Sequence, residues 1–142
     1  MIMSGVLERA RDLLEDAEDF LGAARDLLRS GRWAKVCFNA QQAGEMALKA
    51  ALNKYGVERR THSLTELLEE LIRYGERLEG LRDAAKVLDQ YYIPTRYANA
   101  FSSGPAYRHY TRRQAEEAVE LAEAILREVR RIVTEGEAEK EG

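Results

Sequence analysis

The sequence predicts an all-α fold: an antiparallel up-and-down helical bundle of four main helices plus one short helix. Three observations carry that expectation. Apolar residues recur at alternating three- and four-residue steps, beginning with Leu7, Ala10, Leu14, Ala17, Leu21, Ala24 and Leu28. No stretch shows the apolar-polar alternation of a half-buried strand, and no internal repeat is visible. Most breaks between periodic segments are short and marked by Gly and capping residues, which favours antiparallel neighbours. A chain of 142 residues with 45% hydrophobic content can build one core without needing a second. The domain is expected over 1–134. A charged tail over 135–142 has no apolar anchor and is expected to be disordered.

The first helix is expected from Ser4, its cap, to Ser30-Gly31, with Asp12, Glu15, Asp16, Glu18 and Asp19 on the solvent side. No histidine lies near those carboxylates, so they read as a solvated face rather than a metal cluster. The second helix spans about Arg32 to Tyr55. Trp33, Val36, Cys37, Ala40, Ala43, Gly44, Ala47, Ala50 and Ala51 face inward, and the small residues admit a close backbone from the same chain or a second subunit. Gln41, Gln42, Glu45 and Lys49 form an adjoining polar strip, expected to be solvated with a Glu45-Lys49 pair at helical spacing.

Gly56 suits a C-terminal cap, and Arg59 and Arg60 give the following loop a basic flavour. Ser63 and Glu66 spell a capping box for a short helix from Leu64 to Tyr74, stopped by Gly75. His62 directly precedes that cap and reads first as a local hydrogen-bonding group. A fourth helix is expected near Leu78 to Tyr92. Thr111 and Gln114 form a second capping box for the last helix, which is expected to end near Thr134.

Between these helices lies Tyr91 to Tyr110, reading YYIPTRYANAFSSGPAYRHY, with five of the seven tyrosines, both prolines and one of the two histidines. Pro94 and the Ser102-Ser103-Gly104-Pro105 run interrupt helix, so a long irregular connection is expected, and such connections tend to be functional. Arg96 and Arg108 can hold phosphate or carboxylate, tyrosines offer faces and hydroxyls, and His109 can move a proton near neutral pH. The N-terminus of the last helix, beside Arg108, Arg112 and Arg113, also favours an anion.

Composition removes several function classes. A formal charge of -3 lacks the bulk attraction of a duplex-DNA binder, although a local basic patch is compatible with it. Cys37 is the lone cysteine and sits among apolar residues, so a buried thiol in a reducing compartment is expected. No signal-peptide or membrane-span pattern is present, so the expected location is cytoplasmic, without a membrane partner. There is no Gly-rich phosphate loop and no Glu-x-x-His pair, and two histidines with one cysteine cannot furnish a zinc site alone. Neither a metal nor a cofactor is expected. Arg, His and Tyr chemistry remains.

Trp33, Ala34, Gln41, Gln42, Ala43, Glu45 and Leu48-Lys49-Ala50, then His62-Ser63-Leu64, then Leu88-Asp89-Gln90-Tyr91-Tyr92-Ile93-Pro94-Thr95-Arg96-Tyr97 closely resemble the HEPN domain (higher eukaryotes and prokaryotes nucleotide-binding). The resemblance covers nearly the whole chain. It implies a small helical bundle, commonly a homodimer, often partnered by a minimal nucleotidyltransferase in a toxin–antitoxin-like module. Some HEPN proteins are metal-independent ribonuclease toxins with an Arg, four to six residues, then a His. Arg96 and His109 are too far apart for that motif, and Arg108-His109 and Arg60-Thr61-His62 are too close. The primary expectation is therefore a nucleotide- or RNA-phosphate-binding subunit using Arg96, Tyr97, Tyr92, Arg108 and Tyr110. The alternatives are a ribonuclease with His109 or His62 as its base, and a non-enzymatic helical assembly module.

Overall fold

The structure is a computed structural model that describes the backbone of residues 2–92 and 103–141 and the side chains of 5–92 and 103–136. Its described residues form five α-helices and no strand: α1 (Ile2–Ser30), α2 (Trp33–Asn53), α3 (Leu64–Arg73), α4 (Arg82–Asp89) and α5 (Arg112–Glu141). Short 3-10 turns at Glu79–Leu81 and Ala106–His109 lead into α4 and α5. The all-helical bundle expected from the periodicity is what forms.

Helices α1, α2 and α5 pack against one another along their lengths, and α3 and α4 cover the remaining side of α2 and α5. The centre is α2, whose Ala40, Ala43, Ala47, Ala50 and Ala51 are fully buried. Its small-residue face is thus spent inside the chain. Gly44 shows how close the approach is: a Cβ there would lie 2.6 Å from Leu64 Cδ2 and 3.5 Å from both Leu88 and Ile125.

Local signals set the element ends. Gly31 (φ +79°) turns the chain between α1 and α2, with Gly31 N–H donating to Leu28 O and Arg32 N–H to Leu27 O. Gly56 (φ +71°) does the same after α2. At α3 the Ser63 hydroxyl accepts from Glu66 N–H at 3.1 Å, while Ser63 N–H donates to the Thr61 hydroxyl, not to Glu66. The Asp89 carboxylate, from the end of α4, accepts from Leu64 N–H at 2.7 Å, Thr65 N–H at 3.1 Å and the Thr65 hydroxyl at 2.7 Å. Both arms of the Thr111–Gln114 box form at the start of α5.

Several boundaries differ from expectation. The backbone is already helical at Ile2, so Ser4 lies inside α1 instead of capping it. The fourth helix shortens to eight residues because Gly80 sits in a 3-10 turn and residues 90–92 leave the helix as a turn. In the other direction, α5 runs past Thr134 to Glu141. Gly136 explains part of this, since it is buried against Leu7 and the Lys54 stem, where α5 still crosses the bundle. No helix among the described residues is long and apolar enough to cross a membrane.

Candidate functional site

The polar strip of α2 is the largest departure from the sequence reading. Gln41 is 0% and Glu45 1% exposed, so these two are core residues and not a solvated face. A buried carboxylate is tolerable only with partners. Glu45 has several: Lys49 Nζ donates to Oε2 at 2.9 Å, Gln41 Nε2 donates to Oε1 at 3.3 Å, and His62 Nδ1 lies 3.2 Å from Oε1 and 3.3 Å from Oε2. The expected Glu45-Lys49 pair is present, but it is buried. Solvation failed as a reading because burial here is satisfied by His62, far away in sequence.

The loop that carries His62 is fastened at several points. Val57 N–H donates to Leu52 O, and Asn53 Nδ2 donates to Val57 O at 3.4 Å. Arg59 makes a two-pronged bond to Glu70 on α3, at 2.9 and 2.6 Å, and Ser63 N–H donates to the Thr61 hydroxyl. Gln41 Nε2 donates to His62 O at 3.3 Å, so α2 holds both the backbone and the ring of the same residue. The ring stacks on Tyr92 with centroids 4.5 Å apart and planes 16° from parallel.

These contacts fix the proton. A carboxylate only accepts, so Nδ1 of His62 carries hydrogen and donates to Glu45. Nε2 is left facing outward on a side chain that is 53% exposed, with no hydrogen bond among the described residues. A neutral ring presents a base there, and a charged ring presents a donor for an anionic oxygen.

His109 is held differently. Its Nε2 lies 2.5 Å from Ser103 O, and a carbonyl also only accepts, so Nε2 is spent on the backbone. Arg108, exposed in the same turn, donates from Nε to the Tyr107 hydroxyl at 3.3 Å and lies over the Tyr107 ring. Arg112 stacks over Trp33 with Cζ 5.5 Å from the ring centre. The sequence contained both residues of that pair but no signal joining them.

Tyr110 belongs to the core. It is 8% exposed and meets Tyr91 edge-on, ring centroids 5.9 Å apart. Burial, then the neighbouring Cys37, pushes its phenol up to about 12. Tyr91 rises to about 12 from burial, followed by Cys37, Glu117 and Tyr110. The Cys37 thiol also rises to about 12, from burial and then Glu117, which makes it a poor nucleophile.

Of the sequence-derived site residues, Tyr92 and His62 are brought together, while Arg108 and His109 occupy the 3-10 turn before α5 and Tyr110 packs inside. Arg96 and Tyr97 lie outside the described residues. The stretch carrying them leaves at Tyr92, on His62, and returns at Ser103, on His109. Its two flanks are clasped by the Tyr91–Tyr110 contact. Two participants were missed as site residues: the Glu45 carboxylate and the Asp89 carboxylate. The available signal for Glu45 was the i, i+4 series Gln41, Glu45, Lys49 beside an alanine face; Asp89 had none.

Comparison with known proteins places the chain. A family model described as the HEPN domain matches residues 10–132. The chain is similar to the crystal structure of TT1696 from Thermus thermophilus, at 49% identity and TM-score 0.84, over 87% of this chain and 98% of that one. It is similar to ST0689, an archaeal HEPN homologue, at 33% identity and TM-score 0.75, over 88% and 98% of the two chains. It is also similar to a HEPN domain protein of Thermotoga maritima, at 32% identity and TM-score 0.69, over 87% and 98%. A candidate toxin of Methanocaldococcus jannaschii, MJ1304, is 24% identical over 91% of each chain.

Proposed function

This chain belongs to the HEPN domain family, and on that premise we propose that it is a nucleotide- or RNA-phosphate-binding subunit whose ligand meets the corner formed by His62 and Tyr92. The observation that carries the reading is the outward Nε2 of His62, on a ring fixed by buried Glu45 and stacked on Tyr92. A rigid donor beside an aromatic face suits a phosphate and its attached base. Arg96 and Tyr97, four and five residues after Tyr92 in the sequence, are the residues proposed to complete that site. Arg108 flanks the returning end of that stretch. Tyr110 contributes by holding the two flanks together.

The subunit acts as a homodimer beside a minimal nucleotidyltransferase, in a module of toxin–antitoxin type. Support for that step is family likeness, including the likeness to a candidate toxin. Calorimetric titration with ATP, GTP and a short single-stranded RNA tests the binding reading. Heat is expected with at least one, and Arg96→Ala is expected to weaken it at least tenfold. Absence of heat with all three contradicts the reading.

The free Nε2 of His62 also favours a second reading, as a ribonuclease. His62 would take the proton of a ribose 2′-hydroxyl, and that oxygen would attack the adjacent phosphorus. The 5′-oxygen would leave with a proton from water, forming a 2′,3′-cyclic phosphate. Cleavage of unstructured RNA that disappears in His62→Ala and persists in His109→Ala supports this. Cleavage surviving both changes removes histidine as the base.

A further inference from the structure

A groove of about 510 Å³ opens beside the His62 corner, lined by Arg9 and Leu13 of α1, Met46, Lys49 and Asn53 of α2, and Glu58, Arg59 and Arg60 of the following loop. Its composition is unusual for a chain of net negative charge: four cationic side chains and one carboxylate surround an apolar floor of Leu13 and Met46. Two residues link the groove to the corner, whose His62, Tyr92 and Glu45 are not themselves part of the groove's lining. Lys49 lines it and bonds the same Glu45 carboxylate that holds His62. Arg60 lies two residues before His62, so their backbones are within about 7 Å.

The cations differ in availability. Lys49 is committed to buried Glu45, and Arg59 to Glu70. Arg60 has no ion pair among the described residues. Arg9 is paired only with Glu58, both about 60% exposed, and an exposed pair of this kind exchanges partners at little cost.

We infer that the ligand extends beyond one nucleotide: a single-stranded RNA segment lies with one phosphate at His62 and the neighbouring nucleotide in this groove, its base on Leu13 and Met46 and its phosphate on Arg60. Arg9 joins that phosphate by releasing Glu58. The inference rests on the phosphate-binding reading of the His62 corner and adds the class and polarity of the ligand surface. Leu13 and Met46 offer no hydrogen bond to a base edge and the cations meet phosphate, so binding is sequence-tolerant and salt-dependent.

The test compares AMP with the hexanucleotide A6 on the full chain, by competition against a fluorescent A6 probe. A6 is expected to bind at least about tenfold more tightly than AMP, one additional base and phosphate being engaged. In Arg60→Ala that ratio falls towards one, and the slope of log affinity against log salt for A6 becomes shallower by about 0.7. Arg60→Lys restores most of the slope, since it keeps the charge. Arg60 is exposed, so its replacement leaves the fold intact. Equal affinities for AMP and A6, or an Arg60→Ala effect of the same factor on both, overturn the groove while leaving the corner standing. Failure of both ligands to bind the unaltered chain overturns the groove and the corner together.

Discussion

Glu45 and His62 are seventeen residues apart in sequence, yet the carboxylate of one lies 3.2 Å from Nδ1 of the other. Because Glu45 is buried and also holds Lys49, whose side chain is 15% exposed, the three groups stand or fall together. Glu45→Ala strands an ammonium in a protein environment and frees the His62 ring. A loss of about 3 kcal/mol in folding stability is expected, measured by urea denaturation, with a smaller loss for Glu45→Gln. Equal stability of Glu45→Ala and the parent would show that the cluster contributes nothing to the fold.

Asp89 links two helices through the N-terminal amides of α3. Asp89→Ala is expected to cost about 1–2 kcal/mol and to raise hydrogen exchange first at the Leu64 and Thr65 amides, which lose their acceptor. Asp89→Asn retains one acceptor oxygen and is expected to fall between. Unchanged exchange at both amides would contradict the cap.

Gly44 tests the packing of the centre. Alanine is the better helix former by about 1 kcal/mol, but its Cβ would enter the space of Leu64, which is itself fully buried and has little room to yield. Gly44→Ala is therefore expected to lose about 1–2 kcal/mol net in thermal or urea unfolding. A gain in stability would mean that Leu64 repacks freely.

Stability should fall in alkali. Burial raises Cys37 from 9.0, and Tyr91 and Tyr110 from 10.0, to about 12 in the folded chain. The unfolded chain therefore releases these protons first, so the contribution of these three groups to folding stability is constant below about pH 8 and declines between about pH 9 and 12, each group adding up to about 1.4 kcal/mol per pH unit. Tyr91→Phe removes one contribution and flattens the decline. The same burial predicts that Cys37 resists thiol reagents in the native state at pH 8 and reacts on unfolding.

Much of the scaffold was legible because its signals are local. Gly31 and Gly56 stand where φ turns positive, and the Thr111–Gln114 box forms as spelled. The site was harder to read. Glu45 resembles any surface carboxylate until His62, Gln41 and Lys49 are seen around it. Nor does sequence separate Tyr91 from Tyr92. One packs on Tyr110 inside the bundle and the other on His62 outside, because the helix ends between Asp89 and Tyr92 and successive residues then point apart. Asp89 capping a helix that precedes it in the chain is likewise a tertiary fact, with no spacing rule to announce it.

The central claim is that His62 and Tyr92 together face the ligand. The most direct measurement is an NMR titration of the full chain with ATP and with A6 RNA, following the His62 ring nitrogens and the Tyr92 ring protons. Both sets of resonances are expected to move together and to saturate at one affinity, with the His62 Nε2 signal shifting more than Nδ1. Saturable binding that leaves both rings unmoved would contradict the account.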